Sequence, residues 1–145
     1  MIATSKGPVP IQEALGHAVV VLPSRIQGET GIYSGATAQL VKQFRAVGVD
    51  AGYLHDADHR QWHVLMGDVP TELIIAIAGS AVWALIQTAL GKMLGESREV
   101  QARVLRQRRG SDGTLENNWF EYEGPVDGFL AALPHIDSPE GKDDG

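Results

Sequence analysis

The sequence predicts an α+β domain of the ferredoxin-like type: a split βαβ antiparallel sheet with two helices on one face, followed by a C-terminal strand and a short helix. Three observations carry that expectation. The run Ala18-Val19-Val20-Val21-Leu22 is continuous, β-branched and stopped by Pro23 and Ser24, which suits a central strand buried on both faces. The period then changes, with Leu40, Val41, Phe44 and Val47 on one helical face and Gln39, Lys42, Gln43 and Arg45 on the other. Towards the C-terminus, Arg98 to Arg108 and Asn117 to Glu123 flank Gly110-Ser111-Asp112-Gly113, whose Asp-Gly pair is a strong hairpin signal.

The remaining elements follow in order. Residues 1–10 are small, polar and Pro-containing, and read as a disordered lead-in. Gly28, Gly31 and Gly35 mark a loop before the first helix, with Ser34 placed to cap it. Gly48 lies just past that helix, where a helix C-terminus favours glycine. Ala51–His55 and Gln61–Met66 read as a hairpin joined through Asp56-Ala57-Asp58-His59-Arg60, with Leu54, Trp62 and Val64 sharing the buried face. Pro70 then opens the longest helix, with Asp68 just upstream and Glu72 in its first turn. That helix runs to Met93 or Leu94 and ends at Gly95. Pro125 opens a last short helix carrying Val126, Phe129, Leu130 and Leu133, and from Pro134 the chain is an acidic, disordered tail. The domain therefore spans 11–133, with tails at 1–10 and 134–145.

Composition narrows the functional classes. The chain has 145 residues, 43% hydrophobic and 21% charged, enough for one self-sufficient core. It has no cysteine, which excludes disulfides, thiolate zinc sites and a cysteine nucleophile. The N-terminus lacks the apolar segment of a signal peptide, so a cytoplasmic location is expected. A net charge of −6 opposes nucleic acid at long range, and none is expected as a partner.

The stretch Leu73 to Leu90 contains no charged residue, which is the length at which a membrane span is suspected. Ser80, Gln87, Thr88 and many alanines dilute it, and a buried helix is the preferred reading. Within that helix Ala76, Ser80, Ala84 and Thr88 recur every four residues, a small-residue stripe that lets another backbone approach. A partner or a second copy on that stripe, with Trp83 beside it, is weighed against simple cover by the chain's own helices. Five of the twelve basic residues, Arg98, Arg103, Arg106, Arg108 and Arg109, crowd the strand that follows. They form either a docking patch for an acidic partner or for RNA, though without interleaved aromatics, or a solvated, charge-protected strand edge, which is preferred.

Other constellations carry less. His55, His59 and His63 are four apart; on a helix they would make a zinc-like set, whereas in the expected hairpin His59 sits in the turn and His55 and His63 face the same side from neighbouring strands, and a polar hairpin without metal is the preferred reading. The glycine loop from Gly28 to Gly35 matches neither phosphate-binding glycine pattern, and no cofactor is expected. No Ser lies in a G-x-S-x-G setting, and Glu121 and Glu123 form no acid–base pair. An enzyme is therefore not expected.

One family resemblance can be stated on residues. Ala76-Ile77-Ala78-Gly79-Ser80-Ala81 punctuates an apolar helix; the arginine-bearing strand Val100 to Arg109 follows, then the Ser111-Asp112-Gly113 turn, a returning strand and the helix at Phe129–Leu133. In these features the segment Leu73 to Leu133 resembles the effector-associated constant component proteins of actinobacteria, small proteins encoded beside effectors and NTPases in bacterial conflict systems. The resemblance implies a non-enzymatic adaptor and brings no catalytic residues. The leading expectation is thus a non-catalytic interaction module, self-associating or bound to a protein partner, that docks through Ala76, Ser80, Trp83, Ala84, Arg103, Arg106, Arg108 and Arg109. Alternatives are a dimeric domain sensing a small molecule or nucleotide, and a protein anchored in a membrane by residues 73–90.

Overall fold

The computed structural model describes residues 3–5, 11, 14–63, 71–95 and 99–137. They form a mixed α+β fold with two sheets and three α-helices. Nine strands are described: β1 (Ala3–Ser5), β2 (Val19–Val21), β3 (Arg25–Gln27), β4 (Thr30–Ser34), β5 (Ala51–Tyr53), β6 (Arg60–His63), β7 (Thr71–Ala78), β8 (Glu99–Arg109) and β9 (Leu115–Pro125). The helices are α1 (Leu40–Ala46), α2 (Trp83–Leu94) and α3 (Val126–Ala132). The larger sheet has six strands in the order β1-β9-β8-β7-β2-β5, and the smaller has three in the order β3-β4-β6.

This sheet departs from a split antiparallel one. β2 lies directly beside β5 and β7 directly beside β8, both pairs parallel, while β2 and β7 are antiparallel. Each parallel pair is bridged by a helix, α1 or α2, because parallel neighbours need a crossover longer than a turn. No strand separates the two members of either unit, and that separation is what a split βαβ requires.

The larger correction concerns the apolar stretch after Pro70, a residue that itself lies outside the described ones, as does Asp68. Its first half is the strand β7, buried from Leu73 to Ile77. Leu73, Ile75 and Ile77 join the cluster under the helices, while Ile74 and Ala76 join the cluster on the opposite face. With both faces covered, the strand loses its polar alternation, and a short apolar run then looks like part of a buried helix. The three isoleucines favour the strand, since their β-branched side chains suit the pleated surface. Gly79, at φ +67°, breaks it in a conformation that side chains avoid, and α2 begins only at Trp83. Among the described residues no helix is long and apolar enough to cross a membrane, and an anchor over 73–90 does not form as a helix.

The core sits between this sheet and the three helices. Val19, Val21, Val100, Ala102 and Val104 from the strands meet Leu40, Phe44, Ile86, Leu90, Leu94 and Phe129 from α1, α2 and α3. At about 25 cal/mol per Å² of apolar surface removed from water, this is the main stabilising term. The opposite face is smaller. Val20, Leu22, Ile74, Ala76 and Leu105 are covered by Ile11, Leu15 and Trp119.

Several local expectations hold. Val19–Val21 is buried on both faces, Gly48 follows α1 at φ +88°, and β8 and β9 form the Asp-Gly hairpin with Gly113 at φ +87°. Others are replaced. The glycine loop is the β3–β4 hairpin, turning at Gly28 (φ +60°), and Ser34 caps a 3₁₀ turn at Gly35–Thr37 ahead of α1. β5 and β6 do not pair: β5 borders the large sheet and β6 the small one. Leu54 and Trp62 are accordingly exposed, and Val64 lies outside the described residues. Ala3–Ser5, expected to be part of a lead-in, pairs with Glu121 to Trp119 of β9. Leu133–Asp137, assigned partly to the tail, is a 3₁₀ turn with Leu133 and Ile136 buried.

Candidate functional site

Three concavities meet at the bend between β7 and α2, at the C-terminal ends of the parallel pair β7 and β8, where open sheets commonly bind ligands. One, of about 130 Å³, is lined by Ala18, Val49, Asp50, Ser80, Val82 and Ile86 among others. Two wider hollows, of about 360 and 450 Å³, share Gly79, Arg108 and Arg109. The first reaches towards Leu15, His17 and Asp50, the second towards Ser80, Arg106 and Asp137.

The arginines there have different roles. Arg106 is buried, at 4% exposure. Its Nε–H donates to Asp137 Oδ1 at 2.7 Å, and Nη2 donates to Asp137 Oδ2 at 3.2 Å and to the Gly79 carbonyl. Nη1 donates to the carbonyls of Ile77 and Gln107 at 3.0 and 3.3 Å. A guanidinium has five N–H donors, and these contacts use all of them. Trp83 closes the group: its indole N–H donates to Asp137 Oδ2 at 3.1 Å, and its ring lies 5.9 Å from the Arg106 guanidinium carbon. Arg106 and Trp83 thus fasten the end of β7, the start of α2 and the C-terminal turn to one another, and present no free donor to a partner.

Arg108 and Arg109 are the accessible cations. Arg108 is 42% exposed and lies 3.7 Å from Asp137 Oδ1, a carboxylate already shared with Arg106; across the hairpin it stands opposite Glu116 of β9. Arg109 is exposed and donates from Nη1 to the Gly113 carbonyl at 2.6 Å, which leaves its other donors outward. Arg103 points away from this site and pairs with Glu121 at 3.2 Å. Arg98 lies outside the described residues. The α2 N-terminus lies on the same bend with no side-chain cap at Val82, and the Leu85 N–H turns back onto the Val82 carbonyl at 3.1 Å, so the N–H groups of Trp83 and Ala84 carry the positive end of the dipole there.

The small-residue stripe does not form. Ala76 is a fully buried strand residue, Ser80 lies exposed in the bend, and only Ala84 and Thr88 sit on α2, where the Thr88 hydroxyl donates to the Ala84 carbonyl at 2.8 Å. The period of four spans a strand, a turn and a helix, and has no geometric meaning across them.

The histidines likewise separate. His55 Nδ1 meets the Tyr33 hydroxyl at 2.9 Å, His59 Nδ1 meets Asp56 at 2.6 Å, and His63 is exposed on β6 opposite Ser34. Among the described residues no three metal-ligating side chains come together.

Sequence reasoning misses two further groups. His17 Nδ1 and Asp50 Oδ1, 33 residues apart, meet at 2.9 Å at the mouth of the cleft, and the imidazole holds the Asp50 carboxyl below its usual range. Tyr33, Tyr53, His55 and Trp62 pack ring on ring where the small sheet meets the large one, with Arg60 4.2 Å over the Tyr53 ring. Burial pushes the Tyr33 hydroxyl up to about 12. No short-range spacing announces either group, because each is assembled from elements distant along the chain.

No protein-family model matches the chain, and no curated protein or solved structure matches it significantly.

Proposed function

We propose that the protein is a non-catalytic interaction module that takes an acidic segment of a protein partner in the cleft at the β7–α2 bend. One observation carries this reading: Arg108 and Arg109 stand accessible beside an uncapped helix N-terminus, while Arg106 and Asp137 neutralise each other behind them. A carboxylate entering the cleft meets two guanidiniums and open backbone donors, a combination that favours anions. The chain as a whole is acidic, at −6, so this local positive field is a departure from its surroundings and selects the site by charge. Arg103, Arg106, Ala76 and Trp83 leave the docking set, while Ser80, Arg108 and Arg109 stay in it. An adaptor of this kind is also what the resemblance to the effector-associated constant component family implies, with work in the cytoplasm beside an effector.

Titration of a fluorescent hexaglutamate peptide tests the reading. Binding is expected to weaken steeply with salt, as contacts between exposed charges do, and to fall at least tenfold in Arg108→Glu/Arg109→Glu. A hexaglutamine peptide is expected not to bind. Equal binding of the two peptides, or an unchanged affinity in the double variant, would reject acidic docking.

A further inference from the structure

The smallest of the three concavities differs in chemistry from the two beside it. Its volume is about 130 Å³, and its apolar walls are Val49, Ile77, Ala81, Val82, Leu85 and Ile86. They come from the turn after α1, the end of β7, the bend and the first turn of α2. Val82 is 58% exposed, which sets an apolar side chain at the mouth. The recess shares Ser80 and Ala81 with the 450 Å³ hollow and Asp50 with the 360 Å³ one. It therefore opens onto the space that Arg108 and Arg109 line. We infer that the recess holds one aliphatic side chain of the docking segment, a leucine or isoleucine flanked by acidic residues that meet Arg108 and Arg109. The inference rests on the acidic-docking reading and narrows its partner from an acidic segment to an acidic–aliphatic one.

Size and charge both support it. An apolar cavity of about 150 Å³ accepts a benzene ring, so this recess has room for the four carbons of a leucine or isoleucine side chain. Asp50 is its one ionisable lining residue, with a carboxylate that meets the His17 imidazole at 2.9 Å. A second carboxylate is repelled there, which directs acidic neighbours to the arginine side. Exposed ion pairs are individually weak and screened by salt. An aliphatic side chain leaving water adds an attraction that does not depend on charge. The arginines then orient the segment and the recess anchors it, the division between a charged rim and a buried anchor that protein interfaces use. One methylene in an apolar pocket discriminates by about tenfold or more, and leucine exceeds alanine by three carbons.

Two heptapeptides of equal charge test it on the full-length protein, each with six glutamates around a central leucine or a central alanine. The leucine peptide is expected to bind at least tenfold more tightly, and it alone should shift the methyl signals of Val82, Leu85 and Ile86. Val82→Asn removes an apolar wall, adds no charge and places asparagine where a helix N-cap favours it. In that variant the preference for leucine should fall to threefold or less, with the alanine peptide bound as before. Equal binding of the two peptides, silent methyls, or a preference that survives in Val82→Asn would overturn the anchor. Acidic docking would still stand if both peptides outbind their counterparts with six glutamines. A leucine peptide with six glutamines that binds as tightly as the glutamate one, with the same methyl shifts, would uphold the aliphatic recess and overturn acidic docking alone. Binding by none of the peptides would overturn both.

Discussion

Arg106 and Asp137 form a two-armed fork, 2.7 Å on one arm and 3.2 Å on the other, that ties a buried strand residue to the C-terminal turn. The guanidinium side chain is 5% exposed and the carboxylate 24%. Asp137→Asn keeps an acceptor but leaves the buried cation without its counter-charge. Breaking a buried pair from one side costs about 3–5 kcal/mol; the partial exposure of Asp137 lowers the expectation to about 2–4 kcal/mol. Thermal unfolding should reveal it as a fall of roughly 5–15 °C. A cycle with Arg106→Met should show the double variant losing less than the sum of the singles. An Asp137→Asn protein that melts with the parent would mean that the fork does not hold the turn.

Gly31 of β4 lies close against the side chains of His55 and Tyr33. A methyl group there would stand 2.5 Å from His55 Nδ1 and 2.8 Å from Tyr33 Cε1, well inside contact distance. Gly31→Ala is therefore expected to destabilise by about 1–3 kcal/mol, the usual range for overpacking, and to separate the Tyr33 hydroxyl from His55. Denaturant unfolding in a His55→Ala background should recover part of the loss. A full loss in both backgrounds would place the strain elsewhere.

How much of this was legible in the sequence depends on how local each feature is. The β8–β9 hairpin, the α1 face and the Val19–Val21 strand carry their signals within a dozen residues, and they are read correctly. β7 is misread because burial on both faces removes the alternation that distinguishes a strand. The cleft is half legible. Arg108 and Arg109 stand out by composition, but their difference from Arg106 rests on Asp137, a residue 31 positions on in a segment that looks like tail. His17 and Asp50 meet only because β2 and β5 are neighbours.

Tyr33 sets a stability limit at high pH. It is fully buried, and burial is the main cause that lifts its hydroxyl from 10.0 to about 12, against a smaller opposing effect of the hydrogen bond from the His55 backbone N–H. The unfolded chain releases this proton near pH 10, whereas the folded chain keeps it to about 12. Between those values the unfolded state binds fewer protons, so stability falls as pH rises, by about 2–3 kcal/mol across the window. Burial raises Tyr53 as well, which adds a fall of the same sign. Urea midpoints at pH 9.5 and 11.5 should show the decline in the parent and a smaller one in Tyr33→Phe. Equal declines would remove Tyr33 as its source.

His55 and His59 should titrate in opposite directions from 6.5. The Asp56 carboxylate, hydrogen-bonded to His59, raises the His59 imidazole; burial lowers that of His55, and the charge of His59 lowers it further. The contribution of His59 is present below 6.5 and lost as pH rises through its folded value. That of Asp56, held down by His59, is present above 3.8 and lost as pH falls. His55 favours the fold above 6.5 and ceases to as pH falls through its lowered value. Imidazole proton shifts followed by NMR should show His59 protonating before His55 as pH falls, with His59→Gln moving His55 upward. The reverse order would contradict the His59–Asp56 hydrogen bond and the burial of His55.

Gln107 holds the N-terminal segment across the second face of the sheet. It is 3% exposed; its side-chain carbonyl accepts from the Leu15 N–H at 2.9 Å and its amide donates to Asn117 at 3.0 Å, while Asn117 in turn donates to the Ile11 carbonyl at 2.9 Å. This chain of bonds keeps Ile11 and Leu15 over Val20, Leu22, Ile74, Ala76 and Leu105. Gln107→Leu preserves the volume and removes both arms, leaving the Leu15 amide and Asn117 unsatisfied at about 1–2 kcal/mol in total. Hydrogen exchange at Leu15 should then quicken at least tenfold while the amides of β7 stay protected, because the strap opens without the sheet. Unchanged protection at Leu15 would mean that apolar contact with the sheet holds the segment and that Gln107 is dispensable.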